Sequence, residues 1–134
     1  MAVFQHNNRS IPYRIELAPF NYDLVLLQSS RSSADFFKPL IASFTDVAYG
    51  GGRVLTCEWA DGKREDTEVA KDFVNLMRTL ALVSVRVVAF GDAVEMVSAA
   101  QKLQPSLFEK TLFFPEGGPK DEALTRAVFD LCQL

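Results

Sequence analysis

The sequence predicts a single α/β domain of three layers, in which helices cover both faces of a mainly parallel sheet of about six strands that begins with an antiparallel hairpin. Three observations carry that expectation. Short apolar, β-branched runs alternate along the chain with stretches in which apolar residues recur every three to four positions. Several of those runs are apolar throughout, as in strands covered on both faces. Turn formers (Asn, Asp, Gly, Pro and Ser) mark most changes from one pattern to the other. Apolar residues are 49% of the 134 and charged residues 23%, the balance of a globular chain long enough to build a core without disulfide or metal support.

The first element is a hairpin: two apolar stretches, opening at Val3 and closing at Leu17, flank Asn7, Asn8, Arg9 and Ser10, and Asn tolerates the positive φ of a tight turn. Leu24, Val25, Leu26 and Leu27 lie between Pro19 and the cluster Ser29, Ser30, Ser32 and Ser33, which bounds a buried strand. Ser33 or Asp35 can cap a helix with Phe36, Phe37, Leu40, Ile41 and Phe44 on its apolar side, provided Pro39 falls in the first turn. Gly50, Gly51 and Gly52 end that unit, residues 54–59 are β-rich, and Asp61-Gly62 is a turn signal.

A second helix starts under Glu65, Asp66 and Glu68, where the macrodipole favours negative charge, and Val69, Phe73, Leu76, Met77 and Leu80 form its apolar stripe. Residues 85–90 form an apolar strand, Gly91-Asp92 a tight turn, and residues 93–103 a helix closed by Pro105. The segment bounded by Leu107 and Phe114 is the last strand. A Pro/Gly loop follows, and residues 121–134 carry Leu124, Ala127, Val128 and Leu131 at helical spacing.

Composition excludes several function classes. The 14 Lys+Arg against 17 Asp+Glu give a net charge of −3 with no basic run, which argues against a nucleic-acid partner. No stretch reaches the roughly 18 apolar residues of a membrane span. Cys57 and Cys132 are the only cysteines and His6 the only histidine, with no metal-ligand spacing, so neither metal nor cofactor is expected. The start lacks a secretory pattern, so the expectation is a cytoplasmic protein with reduced thiols. Met1 and the amphipathic last helix suggest a complete domain.

In a parallel sheet of this kind ligands sit beyond the carboxyl ends of the strands, here the segments 28–33, 58–63, 91–92 and 116–117. The residues there occur in a telling series. Val25-Leu26-Leu27-Gln28-Ser29 precedes Ser32-Ser33-Ala34-Asp35-Phe36. Arg53-Val54-Leu55-Thr56-Cys57-Glu58-Trp59 with Asp61-Gly62 comes next. Val87-Val88-Ala89-Phe90-Gly91-Asp92-Ala93-Val94 then leads to Pro105 and to Lys110 through Phe114. The series, from Phe4 to Phe114, resembles the N-terminal half of the α/β-hydrolase superfamily.

The resemblance implies a strand with its oxyanion turn, a strand leading to an acidic residue and a Gly-rich loop, and a nucleophile elbow. That elbow's G-x-S-x-G pattern holds the nucleophile on a strained strand-to-helix turn. Here Gly91 aligns with the nucleophile, Ala89 and Ala93 with the motif glycines, Gln28 with the oxyanion-turn histidine, and Ser29 with the glycine after it. The family's acid and histidine follow strands this chain does not have. No catalytic residue is therefore expected, and the chain reads as a catalytically inactive α/β-hydrolase-like protein acting in small-ligand binding or protein assembly. Gln28, Ser29, Gly91 and Asp92 would line a small polar pocket.

Asp92 is one candidate nucleophile, since some relatives use an elbow aspartate, but a helix N-cap is the simpler role. The alternative function is thus a hydrolase-type enzyme with Asp92 or a loop serine as nucleophile and a base supplied across an oligomer interface. His6 belongs to the far edge of the sheet, Glu58 and Asp61 read as solvated loop charges, and the Gly50 and Gly117 clusters lack phosphate-loop spacing. Phe113, Phe114 and Phe129 surround the last strand, whose edge either the final helix or a second chain must cover. A homodimer through the segment bounded by Leu107 and Phe114 is expected.

Overall fold

The computed structural model describes residues 2–6, 9–18, 21–28, 37–44, 51–57, 66–82, 84–114 and 121–132. The hairpin is present as β1 (Ala2–His6) and β2 (Arg9–Ala18), whose register sets Phe4 against Ile11 and His6 against Arg9. Next come β3 (Leu24–Leu27), β4 (Gly52–Cys57), β5 (Val85–Phe90) and β6 (Phe108–Phe114). They form one six-stranded sheet in the order β1-β2-β4-β3-β5-β6. The β2–β4 pair is antiparallel, and β4, β3, β5 and β6 run parallel.

The all-apolar runs are the inner strands. Every residue of β3 and β5 is buried, and alternate residues serve opposite faces. On one face Val25, Leu27, Val87 and Ala89 meet α2 (Asp66–Thr79) and α3 (Ala93–Leu103) through Phe73, Met77, Met96 and Val97. On the other, Leu24, Leu26, Val88 and Phe90 meet α1 (Lys38–Phe44) and α4 (Asp121–Cys132) through Phe37, Leu40, Phe44, Leu124 and Val128. The three-layer expectation holds.

Two local details bear on the sequence reading. The first described helix starts at Lys38, after a turn at Phe37, and the expected caps Ser33 and Asp35 lie outside the described residues. Pro39 explains the position: a proline is tolerated in the first turn, where its missing N–H would have no intrahelical acceptor. The final helix covers a face of the sheet and not its edge, because Leu124 and Val128 insert over β3 and β5, with Leu112 and Phe114 of β6 packed beside them. Among the described residues β6 pairs with β5 alone.

Two arginines tie down the end of the sheet opposite the candidate site. Asp23, just before β3, accepts the Arg53 backbone N–H at 3.0 Å and its Nη2 at 3.1 Å, while Arg53 Nη1 donates to the Leu80 carbonyl at 3.1 Å. That carbonyl belongs to the end of α2, where Leu82 N–H bonds the Met77 carbonyl and Ala81 N–H that of Arg78. This is a Schellman closure, with Ala81 at φ +57 in the place glycine usually takes. Arg86 of β5, 1% exposed, donates from Nη1 to the Leu131 carbonyl in the last turn of α4. Its guanidinium lies 3.7 Å from the centre of the Tyr22 ring. Basic groups favour helix C-termini, where carbonyls lack intrahelical donors.

Candidate functional site

The candidate site is the strand-to-helix turn between β5 and α3, built by sequence that permits close approach. Ala89 and Ala93, on either side of the turn, are fully buried, so the helix starts directly against the strand. Gly91 between them has φ +58, which a β-carbon would penalise. Its N–H extends the sheet by donating to the Phe114 carbonyl at 2.9 Å, and its own carbonyl accepts the Val94 N–H at 3.2 Å. Glycine thus occupies the turn between β5 and α3 in a left-handed conformation.

Gln28 comes to the same place from the neighbouring strand. Leu27 stands opposite Ala89 in the β3–β5 ladder, so Gln28 leaves β3 one residue short of the level of Gly91. Its side chain is buried at 7% exposure. Beneath the turn, on the α1 side, Phe90 stacks on Phe114 with centroids 5.0 Å apart and meets Phe37 at 5.8 Å, giving an aromatic floor. Gln28 and Gly91 thus follow the ends of neighbouring strands, whereas Ser29, the other loop serines, Glu58, Asp61, Glu116 and Gly117 lie outside the described residues.

Asp92 is exposed and takes the N-cap position of α3, but its side chain makes no capping hydrogen bond. That corrects the expected role. With φ −68 and ψ −13 its backbone is already helical, whereas a capping residue normally adopts an extended conformation that swings its oxygen back to the second or third amide. The turn constraint at Gly91 displaces Asp92 from that geometry.

His6 lies on the outermost strand β1, four strand spacings from β5. At about 4.8 Å each this is roughly 19 Å, beyond any hydrogen bond to the elbow of the same chain. No group of three or more His, Cys, Asp or Glu among the described residues could hold a metal. No described helix is long and apolar enough to cross a membrane. Sequence reasoning passed over Arg53, Arg86 and the buried Asp72. For the arginines the available signal was a cation inside an otherwise apolar strand, which is rare unless it is partnered.

No protein-family model and no curated protein matches this sequence. Solved structures do. One is from work on carboxylesterases of the ammonia-oxidizing thaumarchaeon Nitrososphaera gargenis, with TM-score 0.72 and 13% identity over 96% of this chain and 51% of that one. Another is AqDC, described as recognising and ring-cleaving the Pseudomonas quinolone signal, with TM-score 0.70 and 12% identity over 98% of this chain and 57% of that one. A third is Est816, an N-acyl homoserine lactone degrading enzyme, with TM-score 0.70 and 15% identity over 96% of this chain and 52% of that one. The fold is therefore that of the α/β-hydrolases. More particularly, this chain spans little more than half the length of those enzymes.

Proposed function

We propose that this chain performs no hydrolysis and uses the α/β-hydrolase scaffold for small-ligand binding or protein assembly. The observation that carries this reading is Gly91 at φ +58 on the elbow. The turn that would strain and present a nucleophile is kept, while the residue on it has no side chain. Covalent catalysis needs a hydroxyl, thiol or carboxylate within reach of a base. His6, the chain's only imidazole, sits at the opposite edge of the sheet. The ligand surface in this reading is formed by Gln28, Ser29, Gly91 and Asp92. The cytoplasm is the compartment this reading assumes.

The rival is a hydrolase in which the exposed Asp92 or a loop serine attacks and a second chain supplies the base. Purified protein assayed with p-nitrophenyl acetate and butyrate separates the two. The expected outcome is a rate equal to buffer, unchanged in Asp92→Asn. Turnover that Asp92→Asn abolishes would overturn the proposal and establish the rival.

A further inference from the structure

We infer that β6 is a self-association edge, through which two copies of this chain pair antiparallel with Leu112 opposite the second copy's Leu112. The inference rests on the assembly side of the proposed function and names its partner. It starts from which backbone groups point outward. The Phe114 carbonyl accepts the Gly91 N–H of the β5 turn, and successive residues of a strand address opposite neighbours. Phe114 and Leu112 therefore face β5, and the amides and carbonyls of Thr111 and Phe113 face away from the sheet. Among the described residues no strand lies on that side. A paired edge would satisfy those groups and remove an aggregation template.

The register follows from geometry and charge. Two identical strands related by a twofold axis through the sheet keep their faces, so opposed residues must have the same parity and the axis passes through a single residue. A bulge limits the regular part of β6: Val85 pairs with Phe108 and Arg86 with Lys110, leaving Glu109 extra. An axis at Lys110 opposes two lysines, and an axis at Thr111 sets them diagonally at about 7–8 Å, both repulsive. An axis at Phe113 sets Thr111 past the second copy's last β6 residue, Phe114, after which the sequence continues with a proline that has no N–H. Only the axis at Leu112 avoids both faults, holding the lysines about 13 Å apart, beyond the roughly 8 Å Debye length.

In that register the surface is complementary to itself, which is the reason to assign a second copy and not an unrelated strand. Thr111 and the second copy's Phe113 form a pair that exchanges both N–H···O bonds, and the reciprocal pair repeats it. On the α1–α4 face, Lys110 stands opposite the second copy's Phe114, an ammonium over an aromatic ring. Leu112 meets its own equivalent there. Side chains of Leu112 and Phe114 already lie on that face beside Phe129 and Leu131, so the pairing extends an existing apolar layer.

Sedimentation equilibrium of the intact chain over about 1–200 μM, the span of weak to moderate affinity, should show concentration-dependent conversion to twice 14.9 kDa. Thr111→Pro removes an outward N–H and leaves the β5 ladder untouched, as prolines on edge strands do. It should stay monomeric with an unchanged circular dichroism spectrum. In a Cys132→Ser background, Leu112→Cys should give a covalent dimer on mild oxidation, since directly opposed non-hydrogen-bonded residues sit about 4.5 Å apart at Cα, within disulfide reach. A monomer at every concentration overturns the inference, and so does a dimer that Leu112→Cys fails to cross-link. Neither result bears on esterase activity, so failure here stays distinct from failure of the inert-elbow reading.

Discussion

Two residues at almost the same backbone torsion make a matched pair of perturbations with opposite signs. Ala81 ends α2 at φ +57 and Gly91 forms the elbow at φ +58. A β-carbon in this left-handed region costs about 1–2 kcal/mol, and glycine gives back about 0.4–1 kcal/mol by enlarging the unfolded ensemble. Ala81→Gly should therefore stabilise the protein by about 0.5–1 kcal/mol. Gly91→Ala should destabilise it by a similar amount, plus any crowding between Ala89 and Ala93. With about 2.1 cal/mol/K of unfolding entropy per residue, 134 residues give about 0.28 kcal/mol/K, so each shift is about 2–4 °C in Tm. Thermal and urea denaturation of both single variants and the double variant measure this. The sites lie at opposite ends of β5, so the double variant should fall near the parent. A destabilised Ala81→Gly would refute the reasoning, because Ala81 is exposed and loses only a strained β-carbon.

Two further substitutions test what positions the site. Asp23→Ala removes the acceptor of the Arg53 backbone N–H and Nη2 and should lower stability by about 2 kcal/mol, reduced from the buried value because Arg53 is a third exposed. The loss should shrink in an Arg53→Ala background, and equal losses in both would show that the pair is not coupled. Leu26→Ala at the centre of β3, packed under α1 and α4, should cost about 2–5 kcal/mol by urea denaturation. A loss below about 1 kcal/mol would mean that α4 collapses readily into the space.

Much of the element list was legible because local pattern decides it. The apolar runs at β3 and β5 read as strands buried on both faces, and they are. The helix over residues 93–103 was bounded by Gly91-Asp92 and Pro105, and α3 has those limits. Pro39 falls in the first turn of α1, as the sequence required, while the expected caps Ser33 and Asp35 lie outside the described residues. At the site, Gly91 and its positive φ were legible from the small residues around it. The failure of Asp92 to cap was not, since it depends on the backbone torsion the elbow imposes.

Strand order is the larger gap. Nothing in residues 24–27 states that β3 inserts between β4 and β5, since an apolar run does not name its neighbours. That choice brings Gln28 beside Gly91 and sends His6 to the far edge. The arginine network was equally hidden, because Arg53 and Arg86 find their acceptors on Asp23, Leu80 and Leu131, tens of positions away in sequence. The sequence by itself determined the three-layer class and a glycine elbow, because hydrophobic period and torsional preference act over a few residues. Tertiary structure alone decided which strand ends meet, which carbonyls the two arginines satisfy, and that α4 covers a face of the sheet, because pairing and burial are settled between distant segments.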